Sequence, residues 1–235
     1  MKHTKKPVTI EALQWHNHLS TPMPGVTMDP RGIDGDEDLA CKDCGSMDEH
    51  GWIDTPEGGQ VCPGDYVITG KDGELHSMKP NKFAEDYMPA PTEVFIDCEW
   101  NGYGGTLISM ALVDIEGRSL YLCTPLQEEA VPWVDENVIP VLGSPTFVPD
   151  MLEFSMAIQE FLKPYDEIEI ISDWPEDIER FCHALIVGPG ERIRTPTLSM
   201  RIIRYLDSDE SAIPHNALED ARAIKGLWLS LLSDM

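Results

Sequence analysis

The chain has 235 residues, 42% of them hydrophobic, and its 17 basic and 42 acidic side chains give a formal net charge of −25. This composition is typical of one or two globular domains, and no apolar stretch is long enough to cross a bilayer, so we expect a cytoplasmic protein without membrane contact. Such a charge repels phosphate backbones and argues against nucleic-acid binding, unless carboxylate-bound metal ions reverse the local potential.

Residues 1–90 are rich in glycine, proline and aspartate, which predicts a small β-rich module. Short strands are expected at Pro7–Trp15, Gly51–Asp54 and Asp65–Thr69. The prolines Pro89 and Pro91 interrupt regular structure and place a domain boundary near residue 90.

Three cysteines and one histidine in this module have the spacing of a metal site. Cys41, Cys44, His50 and Cys62 form a C-x2-C-x5-H-x11-C array. Three thiolates and one imidazole are a sufficient tetrahedral set for one structural Zn²⁺. The alternative is that Cys62 is a small buried residue and that the Cys41/Cys44 pair arises by chance.

Residues 91–235 predict a mixed α/β domain. Three antiparallel strands are expected at Glu93–Cys98, Thr106–Asp114 and Ser119–Thr124, with a further strand at Ile168–Ile171. Helices are expected at Pro149–Leu162, Pro175–Leu185, Thr197–Tyr205 and Ala217–Leu232.

Two acids end the first of these strands, in the run Phe95-Ile96-Asp97-Cys98-Glu99-Trp100. Alternation along a strand puts Asp97 and Glu99 on one face. Adjacent carboxylates repel each other unless a cation is shared between them, so the pair is a candidate metal ligand set. The alternative is a solvated strand end.

Two further segments carry acids beside helix starts. Asp173 and Asp177 follow the strand at residues 168–171, and Asp173 has the sequence position of a helix N-cap. His215 precedes Asp220 by five positions at the start of the last helix, where acids also interact favourably with the helix dipole.

Taken in order, these motifs resemble those of the DEDDh 3′-5′ exonucleases, a family with an RNase H-like fold. The resemblance covers about residues 92–232. It is closest to the exoribonuclease-like branch of phages and bacteria, on the Phe95–Glu99 run and the glycine-rich turn Gly102-Tyr103-Gly104-Gly105 that follows it. The family's third motif usually contains Phe-Asp, which this chain lacks. An ungapped fit of the turn favours Asp177 as the third acid, while the end of the strand favours Asp173, so Asp177 is preferred and Asp173 is its alternative.

The resemblance implies a mixed sheet with flanking helices and a two-metal phosphodiester hydrolase. Asp97, Glu99, Asp177 and Asp220 would hold two Mg²⁺ or Mn²⁺ ions, with His215 as the general base. The expected substrate is the 3′ end of single-stranded RNA or DNA. Trp100, Tyr103, Gly104 and Gly105 are candidate contacts to it, although a plain tight turn explains the glycines equally well.

Within residues 1–90, the run from Cys62 to Gly70 resembles small phage modules with a P-G-D-aromatic-V-I-T-G signature, which implies a host-cytoplasmic protein of phage origin. Two alternatives to the nuclease remain open at this point. One is an RNase H-like binding or regulatory protein that engages nucleic-acid machinery without catalysis. The other is a zinc-stabilised adaptor. The sequence is compatible with a monomer or a homodimer.

Overall fold

The computed structural model describes residues 10–29, 40–56, 58–206 and 210–233. Contacts divide the chain into two units, Met1–Ala90 and Pro91–Met235. Within the described ranges, no helix is both long enough and apolar enough to traverse a membrane.

The first unit consists of short strands and one short helix. Its elements are β1 (Glu11–Gln14), β2 (Val26–Met28), β3 (Gly51–Ile53), β4 (Gly59–Val61), β5 (Tyr66–Thr69), β6 (Leu75–Met78) and α1 (Pro80–Asp86). They form two three-stranded antiparallel sheets, β1-β5-β6 and β2-β3-β4. Strands lie in all three predicted regions, and residues 7–9 of the first prediction lie outside the described residues.

A small core holds these sheets. Its buried side chains are those of Trp15, Val26, Ile53, Val61 and Val67. Gly51 is required beside them, because a Cβ atom there would lie 2.8 Å from Val26 and 3.2 Å from the indole of Trp15.

The second unit is a mixed α/β structure. Its strands are β7 (Thr92–Trp100), β8 (Leu107–Asp114), β9 (Ser119–Cys123), β10 (Thr146–Phe147), β11 (Glu167–Ser172), β12 (Ile186–Gly188), β13 (Glu191–Arg192) and β14 (Thr197–Ile202). Its helices are α2 (Pro132–Asn137), α3 (Met151–Leu162), α4 (Pro175–Ala184) and α5 (Ala217–Ser233), with a 3-10 turn at Ile139–Val141.

Six strands form one sheet in the order β10-β9-β8-β7-β11-β14. β7, β8 and β9 are antiparallel neighbours, as predicted, while β7, β11 and β14 run parallel. The predicted mixed sheet with flanking helices is confirmed. β12 and β13 pair separately as a short hairpin.

Side chains alternate between the two faces of β7. Val94, Ile96 and Cys98 belong to a core cluster that includes residues of α3 and α4, such as Phe154 and Phe181. Phe95 points the other way and packs with residues of α5. Asp97 and Glu99 have the parity of Phe95, so they lie on the face that α5 covers.

The helix predicted at Thr197–Tyr205 is wrong. Residues Thr197–Ile202 form β14, which pairs in parallel with β11 over six residues. Arg201 and Glu169 form an ion pair of 2.9 Å across these strands. A segment of six residues fits the period of a helix or of a strand equally well, and pairing with the edge of β11 stabilises the strand.

Candidate metal centres

Three of the four predicted metal ligands come together at the end of β7. Oxygen atoms of Asp97, Glu99 and Asp220 lie within 4.8 Å of one another. Asp97 and Glu99 come from one face of β7, and Asp220 comes from the first turn of α5. The alternation of side chains along the strand directs both carboxylates toward this helix.

The loop before α5 fixes the position of His215. Its backbone adopts φ 65°, which only a few per cent of non-glycine residues do. Its N–H donates to the Asp220 carboxylate over 3.0 Å. Asn216 then caps α5, because its Oδ1 accepts from the N–H groups of Leu218 and Glu219. The general-base candidate is thus held by the carboxylate of a predicted metal ligand.

The structure places both candidates for the third acid at this site. One oxygen each from Asp97, Asp173 and Asp177 also lie within 4.8 Å of one another. Asp177 is buried and accepts from the backbone N–H of Cys98 over 3.1 Å and from the Ser172 hydroxyl over 2.7 Å. Asp173 is half-buried.

The interpretation of Asp173 as the N-cap of α4 is wrong. The N-cap is Trp174, and no side chain caps this end. The Ser172 hydroxyl takes part in the turn instead, accepting from Trp174 N over 2.9 Å. Asp173 therefore does not cap α4, and its carboxylate belongs to the acidic cluster.

Burial and mutual repulsion raise the pKa values of these acids. Burial raises the pKa of Asp97 well above its ordinary value, with added repulsion from Asp177 and Glu99. Burial, then repulsion from Asp220 and Asp177, raises the pKa of Glu99 to about 8. The pKa of Asp177 rises to about 8, mainly through burial, although hydrogen bonds from Ser172 and Cys98 oppose it. Burial also raises the pKa of Asp220 to about 6. Nearby positive charge would relieve this cost.

Two buried carboxylate oxygens have no hydrogen-bond donor among the described residues. They are Oδ2 of Asp97 and Oδ1 of Asp220. Buried polar atoms are almost always paired, so unpaired anionic acceptors beside other carboxylates fit the inner ligands of a hard divalent cation. The residues present are therefore suited to Mg²⁺ or Mn²⁺.

An open cleft of about 430 Å³ lies over these acids. Its lining combines the carboxylates and His215 with three aromatic side chains, those of Trp100, Trp133 and Trp174. Trp133 is 53% exposed and meets the His215 ring edge to face, with centroids 4.9 Å apart. The cleft thus combines anionic and aromatic side chains.

The glycine-rich turn contributes less to this cleft than expected. Trp100 and Gly102 line it, whereas Tyr103, Gly104 and Gly105 are not among its lining residues. The Tyr103 side chain is fully exposed. A Cβ atom at Gly105 would lie 2.0 Å from the Asn101 carbonyl oxygen, so the close approach within the turn accounts for this glycine.

The Cys/His group of the first unit also converges. Ligand atoms of Cys41, Cys44, His50 and Cys62 all lie within 4.8 Å of one another. Burial raises the pKa of the Cys41 thiol, but hydrogen bonds from the backbone of Asp43 and Cys44 outweigh it and bring the value to about 7. This group too could hold a metal ion.

Several residues of these sites were not predicted from the sequence. They are Ser172, Trp133, Trp174 and Asn216 at the acidic site, and Asp65 and Lys79 at the Cys/His group. Asn216 has a readable signal, since an asparagine just before a helix is a common N-cap. No local sequence signal identifies Trp133. A long-range hydrogen bond connects its segment to the site, since Asn216 Nδ2 donates to the Val141 carbonyl over 2.7 Å.

Comparison with models of known protein families gives no match to this chain, and comparison with the curated proteins gives none either.

Proposed function

We propose that residues 91–235 are a metal-dependent 3′-5′ exonuclease of the DEDDh type with an RNase H-like fold. The observation that carries the proposal is the convergence of Asp97, Glu99, Asp177, Asp220 and His215 on one cleft. These residues come from β7, α4, α5 and the loop before α5, separated by up to about half of the chain.

The placement of the acids favours an enzyme over an acidic binding or regulatory protein. A protein that attracts a basic partner by charge needs carboxylates at its surface. Asp97, Asp177 and Asp220 are instead buried, at 8%, 1% and 5% exposure. Burying repelling carboxylates costs folding free energy, and a cation bound between them accounts for that cost.

We propose Mg²⁺ or Mn²⁺ as the ions of the acidic cluster, because carboxylate oxygens are their preferred ligands. Two such ions, when bound, would stabilise the charge that develops on the attacking and leaving oxygens of a phosphodiester displacement. For the Cys/His group the donor set favours Zn²⁺, since thiolate and imidazole are its usual ligands.

The chain's own residues supply the rest of the reaction. His215 lines the cleft and accepts a proton from the attacking water, and the hydrogen bond from its backbone N–H to Asp220 fixes the position of residue 215. The edge-to-face contact with Trp133 restricts the rotation of the ring. Trp100, Trp133 and Trp174 offer stacking surfaces for unpaired bases, which suits single-stranded substrates of either nucleic acid.

The direct test is digestion of single-stranded RNA and DNA, labelled at the 3′ or the 5′ end, in Mg²⁺, Mn²⁺ or EDTA. A 3′-5′ exonuclease releases a labelled mononucleotide at once from the 3′-labelled strand and shortens the 5′-labelled strand stepwise. EDTA should stop both. Internal cleavage products, or no cleavage of either polymer in any metal, would contradict the proposal.

A further inference from the structure

The Cys/His group of the first unit has the dimensions of a tetrahedral zinc centre. Sγ of Cys41 and Sγ of Cys62 are 3.9 Å apart, and Sγ of Cys44 lies 3.2 Å from Nε2 of His50. Tetrahedral Zn²⁺ with Zn–S bonds of about 2.3 Å keeps its sulfur ligands about 3.8 Å apart. The sulfur pair therefore already has nearly the separation that a shared zinc ion requires.

A tight turn presents the first two cysteines. The N–H of Gly45 donates to the Cys41 carbonyl over 2.7 Å, and the N–H of Cys41 donates to the Ser46 carbonyl over 2.8 Å. Gly45 adopts φ 72°, which the glycine allows without strain. The turn brings both thiols to one side of the chain.

The orientation of His50 indicates which of its nitrogen atoms is the ligand. Nδ1 lies 2.6 Å from the backbone oxygen of Asp48, which can only accept a hydrogen bond. Nδ1 must then carry the proton, which leaves the lone pair of Nε2 directed at the thiols. Zinc-bound histidines commonly donate their second nitrogen to a carbonyl in this way.

Lys79 and Asp65 surround the fourth ligand. Nζ of Lys79 lies 3.0 Å from Sγ of Cys62 and 2.9 Å from Oδ2 of Asp65. The same Asp65 oxygen accepts from the backbone N–H of Cys62 over 2.9 Å. Cys62 is only 1% exposed and Asp65 only 3%. The Lys79 ammonium group therefore contacts the buried sulfur of Cys62 as well as the Asp65 carboxylate.

The Lys79 ammonium group also affects the charge around the site. Three thiolates, one neutral imidazole and Zn²⁺ sum to −1, and the neighbouring Asp65 carboxylate adds a further −1. The ammonium group of Lys79 lowers this total from −2 to −1. Its hydrogen bond also shifts electron density on the Cys62 sulfur, which tunes the bond from that sulfur to a metal.

We propose that Cys41, Cys44, His50 and Cys62 form a closed structural zinc centre, and that Lys79 belongs to it as a positioning residue that donates to Cys62 and reduces the negative charge around it. All four ligand positions are filled by side chains, so no position remains for a substrate. The centre stabilises a unit whose own core is small. This proposal is independent of the nuclease.

The first experiment measures metal in the full chain, purified under reducing conditions without chelator. The acidic cluster could also bind zinc, so an Asp97→Asn/Asp220→Asn variant is used beside the wild type. Both should retain one Zn²⁺ per chain. After replacement by Co²⁺, both should show the visible bands of tetrahedral cobalt together with thiolate-to-cobalt charge transfer, and Cys44→Ser should lose them. Zinc-free wild-type protein, or a Cys41–Cys62 disulfide found by mass spectrometry, would overturn the zinc centre.

The second experiment tests Lys79 through metal affinity, measured by competition with a chromophoric chelator. Lys79→Met should bind Co²⁺ and Zn²⁺ about 10- to 100-fold more weakly, the range seen when partners of metal ligands are removed. Lys79→Arg, which keeps the charge, should lose less. The matched control is Lys82→Met in α1, the helix that follows Lys79, because the described partners of Lys82 are exposed acids, Glu85 and Asp86. Equal affinities for Lys79→Met and Lys82→Met would show that Lys79 is only an ion-pair partner of Asp65.

Discussion

The two candidate metal groups of this chain are built in opposite ways. The acidic group stands on regular elements of the second unit, whose sheet is covered by helices on both faces. The Cys/His group stands in turns of the first unit, between strands of three or four residues. The acidic group consists of hard oxygen donors on strands and helices, and the Cys/His group consists of thiol and imidazole donors in turns.

This difference shows what each fold must contribute. Carboxylates that repel one another come together only if packing elsewhere holds them, and the large core around β7 can do so. Turns with few apolar neighbours gain their order from the ligand itself. Removing metal should therefore leave the acidic group assembled and strained, whereas it should loosen the Cys/His group.

The largest effect is expected at Asp97. Asp97→Asn should reduce metal-dependent nuclease activity to background, while it raises the stability of the metal-free protein because one repelling charge is gone. Activity on a labelled strand and thermal unfolding in EDTA measure both.

Asp114→Asn is the matched control for Asp97→Asn. Asp114 is also buried on the same sheet, but it accepts hydrogen bonds from Tyr165 and from the backbone of Arg118, at 2.6 and 2.7 Å. Its substitution should lower stability and leave the metal requirement intact. Wild-type turnover in Asp97→Asn would contradict the proposal that the acidic group holds the metal ions needed for activity.

His215 should give the next largest effect. His215→Ala is expected to lower turnover by about 10²- to 10⁴-fold, the usual contribution of a general base. KM should change much less, because proton transfer occurs only in the transition state. Steady-state kinetics on a short oligonucleotide separates the two constants.

His215→Asn distinguishes chemistry from backbone geometry at this position. Asparagine tolerates the left-handed conformation of residue 215 but cannot act as the base. Turnover as low as that of His215→Ala is expected. Recovery of turnover in His215→Asn would mean that the shape of the loop, and not the imidazole, is what the site needs.

The two candidates for the third acid should differ in degree. Asp177→Asn is expected to bring activity near background, whereas Asp173→Asn should weaken Mn²⁺ binding by about 10- to 100-fold, as an outer partner would. Calorimetric titration with Mn²⁺ checks both. Ser172→Ala removes the hydrogen bond to Asp177 together with those to the Trp174 backbone, so it measures the structural share of the turn without removing a carboxylate. A larger loss in Asp173→Asn would exchange the two roles.

The smallest effect is a pH dependence of the metal-free protein. The pKa values of Glu99 and Asp177 are raised to about 8 in the folded chain, from about 4 when unfolded. Protons are then held by the folded state and lost on unfolding, so stability should fall as pH rises from about 4 to about 8. A shift of several degrees in Tm is expected in EDTA, and Mg²⁺ should flatten it. A Tm in EDTA that rises over this window would contradict the raised pKa values.

Local patterns in the sequence were enough to find the paired acids. Alternation along a strand places Asp97 and Glu99 on one face wherever the strand lies, and this needs no knowledge of the rest of the fold. The position of β14 could not be found this way, since the six residues fit a helix or a strand until the edge of β11 is known. Asp173 was misread as a cap because the turn is instead completed by the hydroxyl of Ser172.

Long-range contacts account for most of what the sequence did not reveal. Trp133 reaches His215 from a segment more than 80 residues earlier, and Lys79 reaches Cys62 across the strands β5 and β6. Neither contact has a local spacing rule. The Cys/His group could be predicted because Cys41 and Cys44 have the C-x2-C spacing that is typical of metal sites.

The cleft over the acids has a lining without lysine or arginine, as far as the described residues go. Tight binding of nucleic acid by basic grooves depends on displaced counterions, and each such contact to a single strand steepens the salt dependence by about 0.7 in the logarithmic slope. A substrate held by stacking on tryptophans and by divalent cations displaces few monovalent ions. Under the proposed function, the affinity for such a substrate should therefore fall less steeply with sodium chloride than the affinity of nucleases with basic grooves does.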